Sequence, residues 1–112
     1  MSTPSVPFKA LGDPERLRLF YLLSRHEELC VCHLTDALEL PQSTVSRHLG
    51  LLRHAELVAT RSDGKWMYYR LNGNTATALA KVVEQMADDG LEADAVHLGK
   101  ILQGLSPPCT TV

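Results

Sequence analysis

Residues 30–54 read CVCHLTDALELPQSTVSRHLGLLRH, and this stretch decides the fold. Leucine and alanine side chains at helical spacing predict a short helix over residues 30–40 that ends at Pro41. A tight connection follows, in which Gln42 or Ser43 is expected to cap a second helix that runs to about residue 54. Its apolar positions 45, 49 and 52 form one inward stripe, and its outer face is polar and basic. Two short helices joined in this way are typical of a helix-turn-helix.

A β-hairpin is predicted directly after the second helix. Strand-like runs at residues 57–61 and 65–71 flank an Asp63-Gly64 pair, which is a strong hairpin signal between two such runs. We expect Trp66 and Tyr68, which share one face of the second strand, to pack on the hairpin. A hairpin in this position is a wing. The predicted fold is therefore α+β, mostly α: a winged helix-turn-helix with a two-stranded wing.

Helices are also expected before this unit. Residues 6–11 predict a short helix that is ended by Gly12. Asp13 followed by Pro14 is a strong start signal, because aspartate caps helices well and proline suits the first helical position. We therefore predict a central helix over residues 15–24.

Helical periodicity returns at residue 74 and continues to Gly104, with a break expected at Gly90. The first part carries an apolar stripe that a chain of this size has few elements to cover, so we expect it to form a homodimer interface. The stripe consists of Leu79, Val82, Val83 and Met86. The prediction is one domain for DNA binding and dimerisation over residues 1–105, with a flexible tail over residues 106–112.

The charge of the chain is unevenly distributed. The formal net charge of the 112 residues is −2, but residues 42–70 hold five basic and two acidic side chains, so this part carries +3 and the remainder −5. A local basic patch on an acidic body can bind phosphates, since screening makes nearby charges matter most. Residues 1–7 show no secretory signal, and the apolar stretches are too short to span a bilayer. We therefore expect a cytoplasmic protein.

The chain has three cysteines, Cys30, Cys32 and Cys109. An odd number argues against a disulfide scaffold in a reducing compartment. Cys30 and Cys32 lie where the first helix of the motif is expected to begin, and the unpaired N–H groups there favour thiolates, which bind soft ions. From the residues alone, ion ligation and packing as small buried side chains are equally supported.

Several motifs together resemble the ArsR/SmtB metalloregulatory repressors. ALGDPERL at 10–17 resembles the opening signature of that family, and ELCVCHL at 28–34 is similar to the metal-binding box of its arsenic-responsive branch. QSTVSRHL at 42–49 resembles the recognition helix, while DGK at 63–65 and YYRL at 68–71 resemble the wing. The resemblance implies a homodimer, paired through its first and last helices, that represses its own resistance operon.

The same resemblance implies that cysteines bind As(III) or Sb(III) as inducer and release the repressor from a palindromic DNA operator. It assigns Cys30 and Cys32 as ligands. A third cysteine often follows at the position of Thr35 in this chain. The remaining thiol, Cys109, is equally well explained as the third ligand or as an idle cysteine, and His33 is expected to be a solvated helix residue. The ligand patterns associated with zinc and cadmium sensing are absent, which favours arsenic or antimony.

A regular helix would hold the two sulfurs apart. Residues i and i+2 point about 200° apart at about 3.6 residues per turn. One ion can therefore take both Cys30 and Cys32 only if the first turn distorts. We expect this distortion to move the recognition helix, so that ion and DNA favour different conformations, with a coupling of about 1–3 kcal/mol.

The expected DNA contacts lie on the recognition helix and the wing. Arg47 projects almost opposite the apolar stripe, and arginine reads guanine bidentately in the major groove. Arg61 and Lys65 flank the wing tip, where they can enter the minor groove or hold phosphates. The other contacts are assigned to polar residues around Arg47, namely Gln42, Ser43, Thr44, Ser46 and His48.

Three alternatives remain open. The same fold could respond to oxidation of Cys30 or Cys32 instead of an ion. The Cys-x-Cys pair could serve a thiol enzyme, but no βαβ pattern or catalytic partner set supports one, so we predict that the chain is not an enzyme. It could also be a constitutive DNA-binding module with packing cysteines, which would ignore both arsenite and oxidants.

Overall fold

The computed structural model describes residues 4–105. It contains six α-helices, a short π-helical turn and one three-stranded antiparallel sheet within that range. In chain order the elements are α1 (Ser5–Leu11), α2 (Pro14–Ser24), β1 (Leu29–Cys30), α3 (Val31–Leu38), α4 (Gln42–His54), β2 (Val58–Asp63), β3 (Trp66–Leu71), α5 (Gly73–Met86), α6 (Asp89–Lys100) and the π-helical turn Ile101–Leu105. The predicted tail lies outside the described residues.

The central helix α2 begins as the sequence predicts. The Asp13 carboxylate accepts hydrogen bonds from the backbone N–H groups of Glu15 at 3.0 Å and Arg16 at 3.1 Å, and Pro14 occupies the first helical position. Five consecutive residues, 19–23, are buried, because α2 is covered by α1, α4, α5, α6 and β3. Helix α2 is the core of the domain, and the helix-turn-helix and the C-terminal helices pack around it.

The helix-turn-helix is formed by α3 and α4, as predicted. Helix α3 ends at Glu39, whose φ of 56° is left-handed, and the chain turns through Pro41 into α4. The predicted cap from Gln42 or Ser43 is wrong, since Pro41 holds the capping position and no described side chain caps α4. Helix α4 is instead held by its buried apolar stripe, the fully covered residues Val45, Leu49 and Leu52.

The wing is a hairpin of β2 and β3 with Asp63 opposite Trp66, so the turn lies at Gly64-Lys65 rather than at Asp63-Gly64. Gly64 has a φ of +62°, which glycine adopts without strain. The predicted two-stranded sheet is incomplete: β1 adds a third strand, and the order is β1-β3-β2. β1 has only two residues, which are too few to produce a periodic pattern, so the helix predicted from residue 30 begins one residue too early.

The last two long helices are separated at Ala87–Asp88, not at the predicted Gly90. Asp88 begins α6, since its carboxylate accepts a hydrogen bond from the Leu91 N–H at 2.9 Å. Helix α6 is tied to α2 by the two-point ion pair of Arg18 with Asp94, at 2.8 and 3.1 Å. Within residues 4–105, no helix has the length and apolar character that crossing a membrane requires.

Candidate DNA interface and thiol site

Helix α4 presents a polar surface opposite its buried stripe. Gln42, Ser43, Ser46 and Arg47 are exposed, and Thr44 is half-buried. Because the other face is anchored in the core, these side chains have a fixed orientation relative to the rest of the domain. The structure thus brings five of the six predicted recognition-helix residues onto one accessible surface, which we call the α4 surface.

His48 does not belong to this surface, and its prediction as a DNA contact is corrected here. Only 4% of its surface is exposed. Its Nε2 lies 2.9 Å from the Glu15 carboxylate, and its Nδ1 lies 3.5 Å from Nη1 of Arg16. Since an arginine nitrogen can only donate, Nδ1 accepts and Nε2–H donates to Glu15. Position 48 is about 40° from the buried position 52 on a helical wheel, so the burial of His48 could have been predicted from the sequence.

The two predicted wing residues differ in their surroundings. Lys65 lies in the exposed turn, with Nζ 5.5 Å from the centre of the Trp66 ring. Arg61 does not flank the tip: it lies within β2, opposite Tyr68, and its guanidinium stacks over that ring at 4.7 Å. Trp66 and Tyr68 are half-buried. They contact Lys65 and Arg61 within the hairpin, as predicted, and they also pack against the core.

Arg61 is bound by a carboxylate that lies far from it in the sequence. Its Nε and Nη2 donate to the two Glu28 oxygens at 2.9 and 2.7 Å, and its Nη1 lies 3.9 Å from Asp63. The hydrogen bonds from Arg61 hold the pKa of Glu28 below its usual range, and Glu28 in turn raises the pKa of Arg61. Glu28 and Arg61 are 33 residues apart, so no local pattern indicates the pair.

The two cysteines lie at the junction of β1 and α3, and this corrects the predicted geometry. Cys30 is a buried free thiol, 2% exposed, in extended backbone at φ −72° and ψ 146°. It ends β1 opposite Tyr68 and precedes the first turn of α3. Cys32 lies within that turn. Its side chain is half-buried, and the residue has an interaction partner. The expectation that one regular helical turn holds both sulfurs is therefore wrong, because only Cys32 is helical.

The neighbours of the cysteines limit the set of additional ligands. Thr35, at the position of the family's third cysteine, donates its hydroxyl to the Val31 carbonyl at 2.9 Å. His33 is half-buried, so its prediction as a solvated residue is wrong. Its Nδ1 has no hydrogen-bond partner among the described residues, and burial lowers its pKa. Cys109 lies outside the described residues.

An exposed apolar face lies between α1, α5 and α6. Phe8, Val82 and Met86 are 66%, 50% and 71% exposed, and they line a groove of about 820 Å³ between α1, α5 and α6. The predicted stripe is divided: Val83 is core at 6% exposure, while Val82 and Met86 face outward. We call Phe8, Val82 and Met86 the apolar face.

An exposed polar helix in a helix-turn-helix, followed by a hairpin with basic side chains, defines a winged helix-turn-helix DNA-binding protein. Comparison with known proteins gives the family. Residues 13–60 match the family described as bacterial regulatory protein, arsR family. The arsenic resistance transcriptional regulator ArsR1 of Pseudomonas putida is 42% identical, over 88% of this chain and 80% of that protein. The chain belongs to the ArsR family of transcriptional regulators and is not an enzyme.

Two further similarities show the range of the family. A cadmium resistance regulatory protein CadC homologue from Staphylococcus aureus is 42% identical, over 58% of this chain and 54% of that protein. The homodimeric winged helix-turn-helix DNA-binding domain of a possible ArsR-family regulator from Mycobacterium bovis superposes with a TM-score of 0.67. That domain is 32% identical, over 79% of this chain and 81% of the other.

Proposed function

We propose that the chain is a homodimeric repressor that binds a palindromic operator and leaves it when Cys30 and Cys32 capture As(III) or Sb(III). The observation that carries this proposal is the position of the Cys-x-Cys pair. Cys30 ends a strand that is paired with the wing, and Cys32 lies in the first turn of the helix that supports α4. A ligand at this junction would contact β1 and α3, which in turn contact the wing and the recognition helix.

The chemistry of the junction suits a soft ion. No described side chain caps the N-terminus of α3, so its first-turn N–H groups are available to stabilise thiolates. Reduced thiolates select soft ions over magnesium or calcium. Thr35 uses its hydroxyl within α3, so the third donor is the tail residue Cys109 or an exogenous donor, or the ion is held by two sulfurs alone. The CadC homologue shows that the family also holds proteins named for cadmium, so the ion is a matter for experiment.

The way in which ion binding would weaken DNA binding follows from the geometry of the β1–α3 junction. Drawing the Cys30 and Cys32 sulfurs onto one ion requires the backbone between them to change, and this backbone is the last residue of β1 and the first turn of α3. Because β1 pairs with β3 and α3 packs on α4, the change is passed to the wing and to the recognition helix. Ion and DNA then favour different conformations, with a coupling of about 1–3 kcal/mol.

Dimerisation is supported by the apolar face. An exposed groove of this size with Met86 at 71% exposure is unfavourable in water, and a second copy of the chain would bury it. A symmetric dimer places two α4 surfaces about one helical turn apart on DNA. The contacts assigned to each half-site are the residues of the α4 surface and the wing turn, Gln42, Ser43, Thr44, Ser46, Arg47 and Lys65.

The experiment is operator binding by the reduced full chain, with and without arsenite, using a duplex from the promoter of its own gene. The natural protein is expected to lose affinity when arsenite is added. Cys30→Ser and Cys32→Ser are expected to bind DNA normally and to ignore arsenite. Cys109→Ser tests the third donor: loss of response identifies the tail cysteine, and a full response leaves a two-sulfur site or an exogenous third donor.

A thiol-redox-responsive repressor of the same fold is the second candidate. It is supported by Cys32, which is only half-buried and is disulfide-bonded in the structure. Arsenite-dependent release under full reduction separates the two functions, because an oxidation switch would not respond there. Release by a mild oxidant alone, with no effect of arsenite, would favour the second candidate.

A further inference from the structure

The Glu28–Arg61 pair occupies the donors that a DNA phosphate would use. Arginine binds carboxylates and phosphates in the same way, through two parallel N–H···O bonds from its planar guanidinium. In this chain, Nε and Nη2 of Arg61 already make such a pair with both oxygens of Glu28, at 2.9 and 2.7 Å. The Arg61 side chain is 47% exposed, so it is accessible to DNA but already bound.

Other groups hold the Arg61 guanidinium in this position. The Tyr68 ring lies beneath it at 4.7 Å, and the Asp63 carboxylate lies 3.9 Å from Nη1. The carboxylates of Glu28 and Asp63 therefore both lie close to the Arg61 guanidinium. Arg70, on the neighbouring strand, adds a second positive charge near Glu28 and helps to keep that carboxylate ionised. The basic charge that the wing offers to phosphates is correspondingly smaller than its sequence suggests.

The pair also connects the thiol site to the wing. Glu28 directly precedes β1, while Arg61 lies on β2, so the ion pair spans the full width of the three-stranded sheet. Cys30, Tyr68 and Arg61 are direct neighbours in one row across β1, β3 and β2. The carboxylate that holds Arg61 is thus two residues from the free thiol and is carried by the same segment.

We infer that Glu28 is an internal competitor of DNA phosphate for Arg61 and limits the affinity of the wing for DNA. The carboxylate withholds Arg61 from the phosphate backbone, so that Arg61 does not count among the contacts of the natural protein. This inference rests on the proposed DNA-binding function, and it identifies Glu28 as a residue that lowers the affinity for DNA. Each phosphate contact makes the plot of the logarithm of the DNA association constant against the logarithm of the salt concentration steeper by about 0.9.

The test measures DNA affinity as a function of salt concentration for the reduced, ion-free full chain. The probes are a fluorescein-labelled duplex from the promoter of its own gene and a duplex of shuffled sequence. Glu28→Gln is expected to bind both several-fold more tightly than the natural protein, with a slope steeper by about 0.9, because Arg61 becomes available to a phosphate. Glu28→Gln/Arg61→Gln removes the pair without changing net charge and is expected to return to the natural slope. Glu27→Gln is the matched control for loss of one adjacent negative charge, and it should keep the natural slope.

Two results would overturn the inference. One is an unchanged slope for Glu28→Gln when circular dichroism shows that the variant is folded. The other is a double variant with a slope shallower than that of the natural protein by about 0.9, which would mean that Arg61 already contacts a phosphate. If the natural protein binds neither duplex, the proposed function fails and the inference fails with it. Binding by the natural protein with no effect of Glu28→Gln overturns the inference alone.

Discussion

The imidazole of His48 connects the recognition helix to the start of α2. It is buried, donates to Glu15 and accepts from Arg16, and Arg16 also donates to the Ala10 carbonyl at 2.7 Å. One side chain on α4 thereby contacts the beginning of the central helix and, through Arg16, the end of α1. The network fixes the position of α4 from within, next to the exposed Arg47.

We predict that His48→Ala lowers the free energy of unfolding by about 1–3 kcal/mol, because it leaves partly buried groups without their partner. His54→Ala is the matched control: it removes an exposed histidine of the same helix and should change stability by less than about 0.5 kcal/mol. Urea denaturation measures both. Equal effects of the two substitutions would show that the network around His48 does not stabilise the fold.

Asp13 is expected to stabilise the protein in its ionised form. The backbone N–H of Arg16 holds the pKa of Asp13 below its usual range. The ionised cap therefore contributes fully above the unfolded value of about 3.9, and its contribution is lost as the pH falls through the lowered pKa. At pH 7, Asp13→Ala should cost about 0.5–2 kcal/mol, while Asp13→Asn, which also caps, should cost less.

The measurement for Asp13 is the free energy of unfolding at pH 7 and at a pH below the lowered pKa. The difference between the natural protein and Asp13→Asn should shrink at the lower pH, because the aspartate is then protonated. A constant difference at both pH values would show that ionisation of Asp13 does not contribute to stability.

At the scale of elements, glycines in the wing and in α4 should respond in opposite directions. Gly64→Ala is expected to destabilise the protein by about 1 kcal/mol, because alanine is strained at a φ of +62°. Gly50→Ala lies within helix α4, and apart from the adjacent residues and the backbone of the same helix, no described atom comes within 4 Å of the added Cβ. It should stabilise by about 0.5–1 kcal/mol. Thermal unfolding of both variants tests this, and a stabilising Gly64→Ala would contradict the turn geometry.

The elements that the sequence predicted are those with strong local signals. Asp13-Pro14 predicted the start of α2, and Asp63-Gly64 predicted the hairpin to within one residue of its turn. Strand β1 was not predictable, because two residues show no period and are defined by pairing with β3, more than 35 residues later. The Glu28–Arg61 pair was missed for the same reason: tertiary contacts bring together residues that no local pattern connects.

At the scale of the whole molecule, we propose that the apolar face forms the dimer interface. Met86→Glu and Val82→Glu place a charge where we expect the partner subunit, and burying an unpaired charge is costly. Both should give monomers in sedimentation equilibrium and should retain the natural circular dichroism spectrum. Val96→Glu is the matched control, since Val96 is 58% exposed on α6 outside the groove, and it should remain dimeric. Dimers of natural affinity in all three variants would place the interface elsewhere.

The central claim is that an ion at the β1–α3 junction and DNA at the α4 surface and wing are coupled. The most direct measurement is the dissociation constant for the operator duplex with and without saturating arsenite, together with the dissociation constant for arsenite with and without duplex, under full reduction. Linkage requires both ratios to be the same, and we expect a factor of about 5–150. Identical operator affinity with and without arsenite would contradict the account.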